Sequence, residues 1–137
     1  MLKAILGVVA GLVVFVAVAT IAGLILRLSW PAYASVAAAM TFTLPMLITR
    51  LAIGAVATLS AGLVTALIAR RSIGAALATG ALLLAGFLPQ HIMIWAKFPA
   101  WYHLTFLLSL LPLTYVGGRA AQRMKEPAGS RTMQDSQ

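Results

Sequence analysis

Single basic residues cut this chain into apolar runs of similar length. Lys3 precedes 23 uncharged residues, 4–26, which end at Arg27. Arg50 precedes 19, 51–69, which end at Arg70 and Arg71. Then come 25 residues, 72–96, before Lys97, and 21 residues, 98–118, before Arg119. An α-helix needs about 20 apolar residues to cross a hydrocarbon core ~30 Å thick. All four runs meet that length. None alternates apolar and polar positions with period two, so a transmembrane barrel is not the reading. Helices satisfy their own backbone hydrogen bonds, as lipid demands.

The interval 28–49 is also uncharged but differs in character. Ser29, Pro31, Ser35, Thr41, Thr43, Pro45 and Thr49 dilute it. One reading makes 28–45 an interfacial or re-entrant segment. Thr43 then serves as N-cap, and Pro45 sits in the first turn of the next span. The other reading is a fifth span, which needs a turn near 48–54. Residues 48–53 contain no Gly, Pro or turn dipeptide. Four spans are therefore preferred. The fold expected is an all-α integral membrane protein with four transmembrane helices in an up-down bundle. Spans fall at about 4–26, 46–69, 73–96 and 99–118, within one domain over 1–126. Arg70-Arg71-Ser72 reads as a tight turn with Ser72 as N-cap. Lys97-Phe98-Pro99 reads as another, with Pro99 in the first turn of the last helix. That helix should run a turn or two past Arg119. The tail, 127–137, is small and polar and reads as disordered.

Composition supports the membrane assignment. The chain has 137 residues, 62% hydrophobic and 9% charged, with a mean hydropathy of +1.01. A soluble domain carries about 25% charged residues. Disorder of the whole chain is excluded by the same hydrophobicity. The net charge of +8 suggests nucleic acid only if the bases form a patch, and here they are scattered between spans. Instead they report orientation. With four spans, Lys3, Arg70, Arg71, Arg119, Arg123, Lys125 and Arg131 share one side, against Arg27, Arg50 and Lys97: seven against three. The positive-inside rule then places both termini in the cytoplasm. Five spans give the same ratio, so charge does not choose between the two counts. The use of Ala, Gly and Arg suggests a bacterial cytoplasmic membrane. Lys3, the apolar run and Ala17-Val18-Ala19 resemble a cleavable signal. The run stays apolar to Leu26, which favours an uncleaved span.

Several residues are candidates for chemistry. Small residues recur at helical spacing and can bring helices close. Gly7, Gly11 and Gly23 lie in the first span, Gly62 in the second, Gly74 and Gly80 in the third. They serve either a homo-oligomer or packing within one bundle. Pro89 and Pro112 should kink their helices. His91 lies six residues before Lys97 and His103 six after it, so both are about 9 Å from that turn at 1.5 Å per residue. Arg50 opens the second span near the same surface. Arg50, Gln90, His91 and His103 therefore form a candidate outer polar cluster. Its competing reading is solvent or headgroup contact, with Arg50 snorkelling outward. A real cluster would take an anion or an anionic lipid headgroup. No span carries an acid or thiol to complete a metal site with the imidazoles. Haem is disfavoured because packed helices lie only ~8–10 Å apart. Trp30, Tyr33, Trp95, Phe98, Trp101 and Tyr102 read as an interfacial aromatic belt.

Absences narrow the function. Cysteine is absent, and Glu126 and Asp135 are the only acids. Carboxylate-coupled exchange, a cation-selective ring and a Ser/His/Asp set have no residues to build on. The reading is a non-catalytic accessory, assembly or lipid-interacting membrane component without a cofactor. Its partners would be membrane lipids, a second copy or another membrane protein, not nucleic acid. The alternative is a small oligomeric transporter or channel with its mouth near Arg50 and His91.

Overall fold

The computed structural model describes residues 1–124. The expected tail, 127–137, lies outside the described residues. Those residues form helices: α1 (Leu2–Ser29), α2 (Pro31–Ala37), α3 (Leu44–Ile68), α4 (Ile73–Met93) and α5 (Ala100–Arg123). A 3₁₀ turn, Trp95–Lys97, links the last two. No strand occurs among the described residues. Four helices, α1, α3, α4 and α5, are long and apolar enough to cross a membrane. The ambiguous interval does not become a fifth. It breaks at Trp30, forms the seven-residue α2 with Pro31 at its first turn, and restarts at Leu44.

Helix ends follow local chemistry. Ser72 caps α4 by accepting from the Ala75 N–H at 3.1 Å. Thr43 is the N-cap residue of α3, but its side chain makes no capping bond. Pro99 is the N-cap of α5 rather than part of its first turn. α5 runs on past Arg119 to Arg123. The turn after α3 is unusual. Arg70 and Arg71 both have positive φ, 53° and 63°. The Arg71 N–H reaches back to the Ala66 carbonyl at 2.6 Å, the bond that closes a Schellman motif. Glycine normally fills that left-handed position, and arginine does so here at a cost of about 1–2 kcal/mol. Arg71 is then tied to α5: its Nε–H donates to the Ala121 carbonyl at 3.0 Å, and Gln122 Nε2 donates to the Arg71 carbonyl at 3.1 Å.

α3 is the central helix, packed most extensively on α5 and α1. The start of α1 meets the end of α3, where Gly7 lies against Thr65 and Ala69. Gly54, Gly62 and Ala66 of α3 meet Phe106, Thr114 and Gly118 of α5 in the same order. Gly80 and Ala76 of α4 meet Thr114 and Gly118 in reverse order. The closest approach is between α3 and α5. A Cβ at Gly62 would strike the Thr114 backbone, and one at Gly117 would strike the Leu59 carbonyl. Thr58, Thr65, Thr79 and Thr114 are fully buried in this region. Thr65 and Thr79 share a hydroxyl bond at 2.9 Å, while Thr58 and Thr114 bond carbonyls of their own helices.

Much of the outer face is apolar. On α1, Leu2, Ile5, Val9, Val13, Val16 and Ile21 are each more than half exposed. In water each would forfeit about 1 kcal/mol of burial energy. Together that approaches the whole stability of a small domain. Lipid removes the cost.

Candidate functional site

Arg50 lies two turns into α3, past Pro45. Its guanidinium does not point away from the chain. The Nη1–H donates to the Tyr33 hydroxyl at 2.7 Å, and the Nε–H donates to the Tyr102 hydroxyl at 3.2 Å. Its carbon sits 4.8 Å from the centre of the Phe42 ring, a cation–π distance. Tyr33 comes from α2, Phe42 from the link to α3, and Tyr102 from α5. Stacked rings hold the three in place: Tyr33 on Phe42 at 5.0 Å, Phe42 on Phe98 at 5.9 Å, and Phe98 on Tyr102 at 5.0 Å. The segment between α1 and α3 therefore folds over the arginine. Its restart at Leu44 places Arg50 beneath it.

His91 and His103 meet. Their Nδ1 atoms are 2.8 Å apart, a hydrogen bond across α4 and α5. His103 is fully buried, with its Nε2 3.3 Å from the Trp95 carbonyl and its ring stacked on Trp95 at 4.6 Å. His91 stacks on Phe106 at 4.8 Å and near Tyr102 at 6.2 Å. Tyr102 thus touches both halves of the cluster, one through its hydroxyl and the other through its ring.

These groups line a cavity of about 190 Å³. Tyr33, Arg50, Gln90, His91 and Tyr102 form its polar end. Phe15, Ile53, Phe87 and Phe106 form an apolar wall. Gly23 and Ala19 of α1 close the remaining side with little bulk. Arg50 has five N–H donors, and the two tyrosines engage only part of them. Each tyrosine oxygen accepts from the cation, which leaves its own O–H free to donate into the cavity. No Asp or Glu lies among the described residues. The cavity thus presents a cation and several donors without a countercharge.

The candidate residues divide as follows. Arg50, Gln90 and His91 reach the cavity, and His103 stands behind His91 as its support. Gln90 is exposed at the rim. Gly7, Gly11, Gly62 and Gly80 lie at helix contacts within the chain. Gly23 and Gly74 do not meet another helix: a Cβ at Gly23 finds nothing within 4 Å, and one at Gly74 finds only Ser72. Pro89 and Pro112 each sit inside a continuous helix, so the sequence 89–91 does not interrupt α4. The six aromatic residues do not share one environment. Trp95 and Trp101 are exposed at 45% and 41%, but Tyr33, Phe98 and Tyr102 are buried and serve the cluster. The sequence reading did not assign Tyr33, Phe42 or Tyr102 to Arg50. Tyr102, beside His103 and at its depth, carried a usable signal. Tyr33 and Phe42 carried none, because only the fold of the 30–43 segment brings them over α3. Gly54, Gly117 and Gly118 were also missed as close contacts. No protein-family model matches this chain, and comparison with curated proteins and solved structures found no match.

Proposed function

We propose that this protein is a non-catalytic, multi-pass membrane component that holds an anionic amphiphile, in the first instance a membrane lipid, at the Arg50 cavity. The observation that carries the reading is Arg50 itself. A guanidinium fixed on two tyrosines, open to a cavity and without an acid in any described segment, suits an anionic oxygen. The adjoining apolar wall suits acyl or glycerol carbon. The residue pairings support an up-down course of α1, α3, α4 and α5, with α2 lying at the outer interface. Charge bias supports cytoplasmic termini, and composition supports a bacterial inner membrane. The cavity then opens near the outer surface.

A transporter or channel would share this mouth. Continuing a polar path inward would require free hydroxyls, and Thr58, Thr65, Thr79 and Thr114 are buried and bonded. That favours a dead-ended binding site. The test is the lipid that survives purification in mild detergent. Wild type should retain anionic phospholipid well above its share of the source membrane. Gly23→Leu should lose that excess, because Gly23 lines the cavity and its Cβ position is open. Arg50→Lys keeps a charge but not the paired geometry, and should retain less. Bound lipid that mirrors the bulk membrane in wild type would end the proposal. Sustained ion or solute flux in proteoliposomes would favour the transporter instead.

A further inference from the structure

The histidine pair has a direction, and the direction bears on what the cavity accepts. The Trp95 carbonyl can only accept a hydrogen bond, so His103 Nε2 carries the hydrogen between them. An uncharged His103 then has a bare Nδ1. That atom must accept from His91, so the hydrogen of the 2.8 Å bond belongs to His91 Nδ1. An uncharged His91 is left with a bare Nε2. The tautomers are assigned from this network of partners.

His91 is only 6% exposed, yet it lines the cavity. Its Nε2 has no hydrogen-bond partner among the described residues. No buried polar side-chain atom among the described residues lacks a partner, so this nitrogen is open to the cavity, where a ligand O–H can reach it. The rest of the polar end offers donors: the free Arg50 N–H groups and the hydroxyls of Tyr33 and Tyr102. The cavity therefore sets several donors beside a bare imidazole nitrogen, with the Gln90 amide at its rim, facing apolar walls.

We infer that the cavity selects an anion whose headgroup also carries a hydroxyl, the anionic oxygen on Arg50 and the O–H donating to His91 Nε2. This rests on the anion reading above and specifies its ligand class: a phosphodiester lipid with a hydroxylated headgroup, such as phosphatidylglycerol. The size agrees. About 190 Å³ holds roughly six waters at ~30 Å³ each, room enough for a three-carbon polyol. Each histidine has one part: His91 contacts the ligand, and His103 positions it by fixing which nitrogen is bare.

The test compares phosphatidylglycerol with phosphatidylmethanol, which has the same charge and no headgroup hydroxyl. Purified full-length protein is equilibrated at pH 8, above the ordinary imidazole range, with mixed micelles holding both lipids and phosphatidylcholine. Retained lipid is read by mass spectrometry. Wild type should prefer phosphatidylglycerol over phosphatidylmethanol by about tenfold, the scale of one hydrogen bond to the ligand. His91→Phe keeps a stacking ring and removes the acceptor. It should retain both anionic lipids equally while still preferring them to phosphatidylcholine. Equal retention of the two by wild type overturns the hydroxyl inference and leaves the Arg50 reading standing. No preference for either over phosphatidylcholine overturns the Arg50 reading itself. The wild-type comparison decides the matter even if the variant fails to fold. Soluble glycerophosphoglycerol is the competitor that separates sources. Displacement of the lipid would identify the free ester as an occupant through the same two contacts. Failure to displace it would identify the membrane lipid.

Discussion

Arg50 is the residue on which one end of the molecule turns. It ties α2, α3 and α5 together through two hydroxyls and a ring face. Tyr102→Phe or Tyr33→Phe removes one acceptor and leaves a charged donor short of a partner. Each should cost about 1–3 kcal/mol, measured by unfolding in graded denaturing detergent. The pair should be non-additive, because both serve one guanidinium. Equal stability of the single variants and wild type would show that water or lipid substitutes freely for the hydroxyls. At the other end, Arg70 holds a left-handed conformation with φ 53°. Arg70→Gly should raise stability by about 1 kcal/mol in the same assay, since glycine adopts that region without steric cost. Loss of stability would mean that the Arg70 side chain contributes more than its backbone costs.

Helix packing gives a sharper contrast between glycines than spacing did. The small-residue pattern marks Gly23 and Gly62 alike. In the structure Gly62 is crossed by the Thr114 backbone, whereas Gly23 faces open space in the cavity. Gly62→Ala should cost about 2 kcal/mol or more by forcing α3 and α5 apart. Gly23→Ala should cost nothing, and should slightly favour α1 through helix propensity. Thermal unfolding of the two variants side by side checks this, and similar losses at both sites would contradict the contact pattern. Helix spacing shows which residues share a face. It does not show which helix that face meets. That is why four of the six glycines found neighbours in the chain, two did not, and Gly54, Gly117 and Gly118 went unnoticed.

For the molecule as a whole, the number of crossings sets everything downstream. Four long apolar helices predict that residues 1 and 137 lie on one side of the membrane. Reporter fusions at each end should give the same cytoplasmic signal, and opposite signals would remove the four-span topology. The segment between α1 and α3 is the part most sensitive to this count. As a fifth span it would carry Tyr33 into the bilayer. As a short helix it covers Arg50 instead.

The sequence by itself determined the long apolar helices, their approximate ends and the level of the polar residues along them. Each of these is a one-dimensional quantity. Run length compares directly with membrane thickness, and a rise of 1.5 Å per residue converts spacing into depth. It placed Arg50, Gln90, His91 and His103 near one level without fixing which way each side chain turns. Azimuth is set when two helices pack, and packing depends on contacts far apart in the chain. Only the tertiary structure decided that the two imidazoles hydrogen-bond at 2.8 Å rather than facing lipid. Only it showed that α2 and Phe42 close over Arg50, because no local pattern encodes where a seven-residue helix folds back. A cation counted as one of ten bases on the chain thereby became the floor of a cavity.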